Sequence, residues 1–197
     1  HKTLDMSVTK FNPRNALLLL IIIVIAAIRV LNNFSTEITA LANYSPLVAM
    51  TLFGSAYFKG NIKALVFPLL AIFLSDIILF ATVYKQYGDG FLYGGWVWVY
   101  GAFLLMAVSG KLIIKKVSVQ SVSIAAAVSV FIHWILTDFG TWLGSKTYPQ
   151  TLAGFNECLA AAIPFELRSI TATIIYGAIM FGVLEVMQRT YPVRKTG

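Results

Sequence analysis

The chain alternates between long apolar runs and short polar connections. The first run, LLLLIIIVIAAI, contains no charged residue and is followed directly by Arg29. Continuous runs of this kind predict membrane-spanning helices, because a span needs about 20 mostly apolar residues. The predicted helices cover about residues 15–31, 46–58, 64–84, 94–108, 119–143 and 163–187. The second is short for a span, and residues 151–162 are predicted to form a short helix at the membrane surface.

The composition favours a membrane protein over a soluble one. Hydrophobic residues make up 58% of the 197 residues and charged residues only 12%, whereas a typical soluble domain is about a quarter charged. The continuous runs favour helices over an outer-membrane barrel, whose strands alternate in polarity. We therefore predict an all-α integral membrane protein with six transmembrane helices and a single domain over residues 6–197. The five residues before Met6, HKTLD, are expected to be foreign to the native chain.

The positions of the basic residues predict how the helices are oriented. Lys and Arg concentrate in the cytoplasmic connections of membrane proteins. Of the 15 Lys and Arg residues, all fall on one side of the predicted spans except Arg29, Lys85, Lys146 and Arg168. Both termini are therefore predicted to lie in the cytoplasm. Because the basic residues flank apolar runs, the net charge of +7 does not indicate a nucleic-acid partner.

Two carboxylates fall inside apolar runs, where contact with lipid would be unfavourable. An Asp at the centre of a bilayer costs about 2.5–3.5 kcal/mol on insertion scales. Asp76 falls in the outer half of the third predicted helix, and Asp138 falls near the outer end of the fifth. Each residue also has a structural interpretation. Asp76 would bond to Ser75 or a neighbouring helix, and Asp138 would be an interfacial carboxylate at a helix end.

Helical periodicity places Trp134, Asp138 and Trp142 on one face of the fifth helix. Two aromatic side chains with a carboxylate between them predict a face that holds a planar organic ligand. The alternative is an aromatic belt at the membrane interface. Other polar and aromatic residues are predicted on the same outer side. The predicted substrate-binding residues are Asn43, Tyr44, Asp76, Trp96, Trp134, Asp138, Trp142 and Tyr148.

Residues with catalytic or metal-binding chemistry are few. The sequence has no phosphate-binding loop and no His, Cys and Asp cluster with metal-ligand spacing. His133 and Asp138 lie about 140° apart around a helix, which argues against a direct pair. Cys158 is either a small buried hydrophobic side chain or a soft ligand for a metal-bearing substrate. We therefore expect no enzyme, no cofactor and no resident metal.

Three stretches of the chain carry a resemblance to known proteins. They are ANYSPLVAMTLFGSAYF at 42–58, LSDIIL at 74–79 and TDFGTWLGSKTYPQTLAGFNECLAAAIPF at 137–165. With their spacing they resemble bacterial six-helix transport proteins of largely unassigned function over about residues 30–188. That group is similar in architecture to the substrate-binding S-components of energy-coupling factor (ECF) transporters. The resemblance implies an S-component-like bundle in the bacterial inner (cytoplasmic) membrane.

The resemblance also implies a function and partners. S-components capture a scarce micronutrient at the outer face of the membrane, and the leading ligand here is cobalamin or a related corrinoid. The implied partners are this vitamin-like small molecule, the lipid bilayer and an ECF-type ATPase module. In the family, docking to that module uses an Ala-x-x-x-Ala pattern on helices one and three. Here Ala26, Ala27, Ala64 and Ala71 lack that spacing, which favours a solitary form.

Two other classes of function stay open at this point. One is an intramembrane enzyme that acts on a lipid or a bound cofactor through Asp138, His133 or Cys158. The other is a structural membrane subunit that has no ligand.

Overall fold

Six helices make up the described part of the chain, which comprises residues 13–34, 44–85 and 92–190 of a computed structural model. They are α1 (Pro13–Phe34), α2 (Leu47–Tyr57), α3 (Asn61–Thr82), α4 (Trp96–Ile113), α5 (Val119–Trp142) and α6 (Leu152–Thr190). All except α2 are long and apolar enough to cross a membrane. The prediction of an all-helical chain with six helices is confirmed, and multiple membrane spans agree with these lengths.

The sixth helix differs from its prediction. It begins at Leu152 and continues through Pro164, so residues 151–162 do not form a separate surface helix. Proline lacks an N–H group and disfavours helical backbone at the preceding residue, which is why the sequence pattern indicates a break there. In the structure the turns before Pro164 pack against α5: Phe155 contacts Trp142, with ring centroids 5.4 Å apart. This packing supports the helix across the proline.

Helix α2 occupies the centre of the bundle and packs against all of the other helices. Nine of its 11 residues are buried. Gly54 lies so close to α3 that an added Cβ would be 2.1 Å from Pro68 Cγ. On the other side, Ser55 Oγ donates a hydrogen bond of 3.0 Å to the carbonyl of Ala107 in α4. The small residues of α2 therefore allow α3 and α4 to approach its backbone closely.

The helices run alternately up and down, which defines two ends. Helices α1, α3 and α5 end where α4 and α6 begin, and we call this the upper end. The opposite end, where α2 and α4 end and α3 and α5 begin, is the lower end. Helix α2 is about 16 Å long, since each residue adds about 1.5 Å. Counting from the Gly54–Pro68 and Ser55–Ala107 contacts, its first residue lies near the level of Ser75 on α3 and Tyr100 on α4.

We predict that G54A destabilises the protein because its new methyl group meets the ring of Pro68. Overpacking of this kind costs about 1–3 kcal/mol. The matched control is G101A in α4, where an added Cβ would meet nothing within 4 Å. Thermal unfolding in detergent, followed by circular dichroism, should show a lower midpoint for G54A and an unchanged or slightly higher one for G101A. Equal midpoints for the two variants would contradict the close packing of α2 against α3.

Candidate functional site

The first polar cluster at the upper end surrounds Asp76, and we call it the Asp76 cluster. Asp76 is only 4% exposed. Its Oδ1 lies 2.5 Å from Nη2 of Arg29 on α1, and the same guanidinium donates to Ser75. Its Oδ2 accepts hydrogen bonds from the hydroxyls of Tyr100, at 2.7 Å, and Tyr93, at 3.4 Å. Both carboxylate oxygens of Asp76 are therefore satisfied by protein groups.

The Asp76 cluster joins three helices through side-chain hydrogen bonds. Arg29 comes from α1, Asp76 from α3 and Tyr100 from α4, and in an apolar bundle each of these groups needs its partner. Burial raises the pKa of the Tyr93 hydroxyl well above its usual value, and the negative charge of Asp76 raises it further. Tyr93 is therefore a hydrogen-bond donor at neutral pH. The hydrogen bonds and the ion pair of this cluster therefore hold α1, α3 and α4 together.

The second polar cluster lies between α5 and α6, and we call it the Glu166 cluster. His133 Nδ1 lies 3.1 Å from Glu166 Oε1, and Glu166 is 8% exposed. Asp138 lies within electrostatic range of both residues. Glu166 Oε2 and Asp138 Oδ2 are buried and have no hydrogen-bond partner among the described residues. Phe103 of α4 closes the other side of the imidazole, with ring centroids 5.9 Å apart.

The two clusters differ in the state of their carboxylates. Asp76 is saturated, whereas Asp138 and Glu166 each bury one oxygen without a hydrogen bond from the described part of the chain. A buried acceptor without a donor is unfavourable by about 1–3 kcal/mol, and by more when it is charged. Nowhere in residues 13–34, 44–85 and 92–190 do three or more His, Cys, Asp or Glu residues lie close enough to hold a metal ion. The Glu166 cluster therefore has two buried acceptor oxygens that could receive hydrogen bonds.

The predicted aromatic face of α5 does not line an open surface. Trp134 Nε1 donates to the carbonyl of Leu159 at 3.1 Å, and Trp142 Nε1 donates to that of Pro149 at 2.8 Å. Both indoles thus hold the segment around the start of α6 against α5. The prediction that this face holds a planar ligand by stacking receives no support from these contacts, because the first turns of α6 cover it.

Cys158 also belongs to this contact between helices. Its side chain is buried, and Sγ lies 3.6 Å from the backbone carbonyl of Asp138. Its sulfur is directed at the α5 backbone, whereas His133 contacts Glu166. The arrangement agrees with the interpretation of Cys158 as a small packing residue.

The remaining predicted residues are spread over the upper end. Trp96 is 44% exposed, and its ring lies 6.2 Å from that of Tyr100, which connects it to the Asp76 cluster. Tyr44 and Tyr148 are half-buried. Asn43 lies outside the described residues. The structure therefore brings Asp76 and Trp96 to one side of the upper end, and Asp138 with its neighbours to another.

Sequence reasoning missed two residues that complete the clusters. Arg29 was counted as a topology signal, although its place inside an apolar run was a sign that it needed a buried partner. The predicted sixth helix begins at residue 163, which puts Glu166 in its first turn, next to a connection. With α6 beginning at Leu152, Glu166 lies well inside that helix. His133 is predicted not to pair with Asp138, and in the structure it contacts Glu166.

A family model matches residues 9–194 and therefore takes in all six helices and both clusters. The chain belongs to DUF6580, a family of unknown function. No curated protein and no solved structure matches this DUF6580 chain.

We predict that removing only one member of the Arg29–Asp76 pair is worse than removing both. D76L leaves the guanidinium of Arg29 without its carboxylate, and breaking a buried pair in this way costs about 3–5 kcal/mol. The double variant R29M/D76L leaves no uncompensated charge and should lose less stability than D76L. Unfolding free energies measured in mixed micelles will test this. If the losses of the two single variants simply add in the double variant, the pair is not coupled.

We predict that W134F loosens the start of α6 without unfolding the bundle. The variant removes the hydrogen bond to the Leu159 carbonyl, which contributes about 1 kcal/mol. Hydrogen–deuterium exchange should become faster in the backbone amides of residues 152–163. The control is W96F, whose wild-type indole is 44% exposed and lies 6.2 Å from the Tyr100 ring, away from α6. Unchanged exchange in W134F would contradict the role assigned to this contact.

Proposed function

We propose that the protein is a membrane transport protein, or the substrate-binding subunit of one, that captures a small organic micronutrient at the upper end. The proposal includes six membrane-spanning segments, cytoplasmic termini and a bacterial inner membrane. One observation carries it: Glu166 Oε2 and Asp138 Oδ2 are buried at the upper end with no donor in the described residues. In an apolar bundle this arrangement favours a ligand that brings the donors.

The orientation is supported by charge. Basic residues at the lower end include Lys59, Lys63, Lys111, Lys115, Lys116 and Arg189, whereas Glu185 is the acidic residue of the described lower end. This excess of Lys and Arg is typical of the cytoplasmic side. The Glu166 cluster would then face the outside, where an uptake protein meets its substrate.

The chemistry of the Glu166 cluster favours a ligand with N–H groups or a positive charge. A carboxylate accepts several hydrogen bonds, and within the described residues the Glu166 carboxylate contacts His133 while its Oε2 has no partner. Apolar and aromatic side chains such as Phe103 surround the cluster, as is usual in small-molecule sites. A cationic or amide-bearing micronutrient fits these requirements better than an anionic one.

Cobalamin or a related corrinoid remains the leading ligand, on the resemblance to S-components. Its peripheral amide groups supply N–H donors of the kind that Asp138 and Glu166 lack. The buried position of Cys158, with its sulfur against the α5 backbone, favours recognition through these amides over a bond between sulfur and cobalt.

A solitary form is favoured over one that depends on an ATPase module. The Ala-x-x-x-Ala docking pattern of ECF systems needs small residues on an outward face. Ala64 is buried, and its carbonyl oxygen would lie 3.3 Å from a Cβ added at Gly54 of α2. Its position therefore serves packing inside the bundle.

The proposal predicts binding that depends on Glu166. Isothermal titration calorimetry of the purified protein would use cobalamin, cobinamide, thiamin, riboflavin, biotin and queuine. We expect sub-micromolar affinity for one of them. E166Q should weaken that affinity by about tenfold or more, since a hydrogen bond to a charged group contributes about 1.5–3 kcal/mol. D138N tests the second carboxylate independently.

The matched control is E157Q, which alters an exposed glutamate on the same helix. Its affinity should stay within about twofold of that of the wild type. Melting midpoints of all variants separate loss of binding from loss of fold. If none of the compounds binds, a structural subunit without a ligand becomes the better account. If E166Q and E157Q have equal affinities for the ligand, the proposed site is wrong.

An intramembrane enzyme is the second candidate, favoured by the His133–Glu166 contact at 3.1 Å. A carboxylate that orients an imidazole is a common arrangement for general base catalysis. Turnover of a bound lipid or cofactor, lost in H133Q but not in E157Q, would favour this candidate. Binding without product would favour transport.

A further inference from the structure

A cavity of about 650 Å³ opens at the lower end, where the end of α2 meets the start of α3 and the end of α4. It lies at the opposite end from both polar clusters, and it is independent of the proposed transport function. Its lining combines basic side chains with an apolar wall, a combination that neither polar cluster has.

Three lysines define the basic part of the cavity: Lys59, Lys111 and Lys115. Lys111 Nζ donates to the carbonyl of Phe58 at 2.9 Å, which fixes its ammonium at the cavity wall. An ammonium group has three donor hydrogens, so this contact uses one of them. The cavity therefore presents the ammonium groups of Lys59 and Lys115 and the two remaining donor hydrogens of Lys111 to an anion.

The carboxylate of the described lower end, Glu185, does not line the cavity of the three lysines. Glu185 accepts a hydrogen bond from the Tyr57 hydroxyl at 3.1 Å. Its side chain lines a separate cavity between α2, α5 and α6, although Tyr57 lines the basic one. The lysines thus have no carboxylate among the described residues that line their own cavity.

The apolar part of the cavity comes from Leu65 of α3 and from Val108 and Leu112 of α4. Leu112 is 62% exposed and Val108 is 40% exposed, so both are open to the surroundings of the bundle. Val108 precedes Lys111 on α4, and Lys115 follows the end of that helix. The cavity wall therefore changes from apolar to basic toward the lower end. A phospholipid has the same order, with acyl chains deeper in the membrane and a headgroup at its surface.

We propose that this cavity binds one anionic phospholipid, whose headgroup phosphate contacts Lys59, Lys111 and Lys115 and whose acyl chain lies along Leu65, Val108 and Leu112. Basic pockets between membrane helices on the cytoplasmic side are a known type of anionic lipid site. An acidic peptide or a free anion would use the lysines but would leave the apolar wall uncovered.

The experiment measures how lipids protect the full chain, purified in a nonionic detergent, against thermal unfolding. The probes are dioleoylphosphatidylglycerol, dioleoylphosphatidylcholine and glycerol 3-phosphate. We expect phosphatidylglycerol to raise the melting midpoint at lower concentration than the other two. K59Q/K115Q should raise the phosphatidylglycerol concentration needed for half of the effect by about tenfold or more, since each lysine near an anionic headgroup contributes about 1 kcal/mol.

The matched control is K63Q/K116Q, which removes two exposed lower-end lysines outside the cavity lining. It has the same net charge as K59Q/K115Q and should stay within about twofold of the wild type. K59R/K115R keeps the charge and should retain protection. Helicity of each variant, measured by circular dichroism without lipid, shows whether it has folded.

Three results would overturn the proposal. If K59Q/K115Q and K63Q/K116Q lose phosphatidylglycerol protection equally, the lipid is attracted by the overall charge of the lower end and not by the cavity. Equal protection by phosphatidylcholine would mean that acyl chains alone bind. Equal protection by glycerol 3-phosphate would identify a free phosphate ester as the ligand.

Discussion

The constraint on which the structure depends is the shortness of α2. With 11 residues it is about 16 Å long, shorter than a regular span of about 20 residues, yet it contacts every other helix of the described chain. Its small residues, Gly54 and Ser55, let α3 and α4 pack against its backbone. Because α2 begins near the level of Asp76, side chains above that level cannot pack against α2. At the upper end the longer helices are instead held together by polar contacts between their ionisable side chains.

The two upper-end clusters show how similar residues acquire different chemistry. Asp76 receives an arginine and two tyrosine hydroxyls, so its charge is compensated and its oxygens are used. Glu166 receives one imidazole, and one of its oxygens is left without a donor in the described chain. In a low-dielectric bundle the first arrangement stabilises the fold, whereas the second leaves one buried acceptor oxygen without a donor in the described chain. This contrast, rather than the number of aromatic side chains, decides which cluster is the better candidate site.

Much of the fold could be predicted from the sequence, and much less of the site. The lengths of the apolar runs predicted six helices, and their order agrees with the structure. Pro164 caused the main error, since a proline in isolation indicates a helix end but packing against α5 carries α6 through it. The predicted start at residue 163 puts Glu166 in the first turn of the helix, whereas in the structure it lies well inside α6 and contacts His133. Periodicity predicts an aromatic face on α5, but periodicity does not say what covers a face.

The sequence by itself determined the class of the protein, the number of helices and the asymmetry of basic residues between the two ends. These are local properties, because apolar length and charge position are read within one segment. The tertiary structure decided which polar groups meet. Arg29 and Asp76 are 47 positions apart, and His133 and Glu166 are 33 apart. Whether a buried carboxylate is satisfied depends on the donors that neighbouring helices bring to it, and no single segment contains that information.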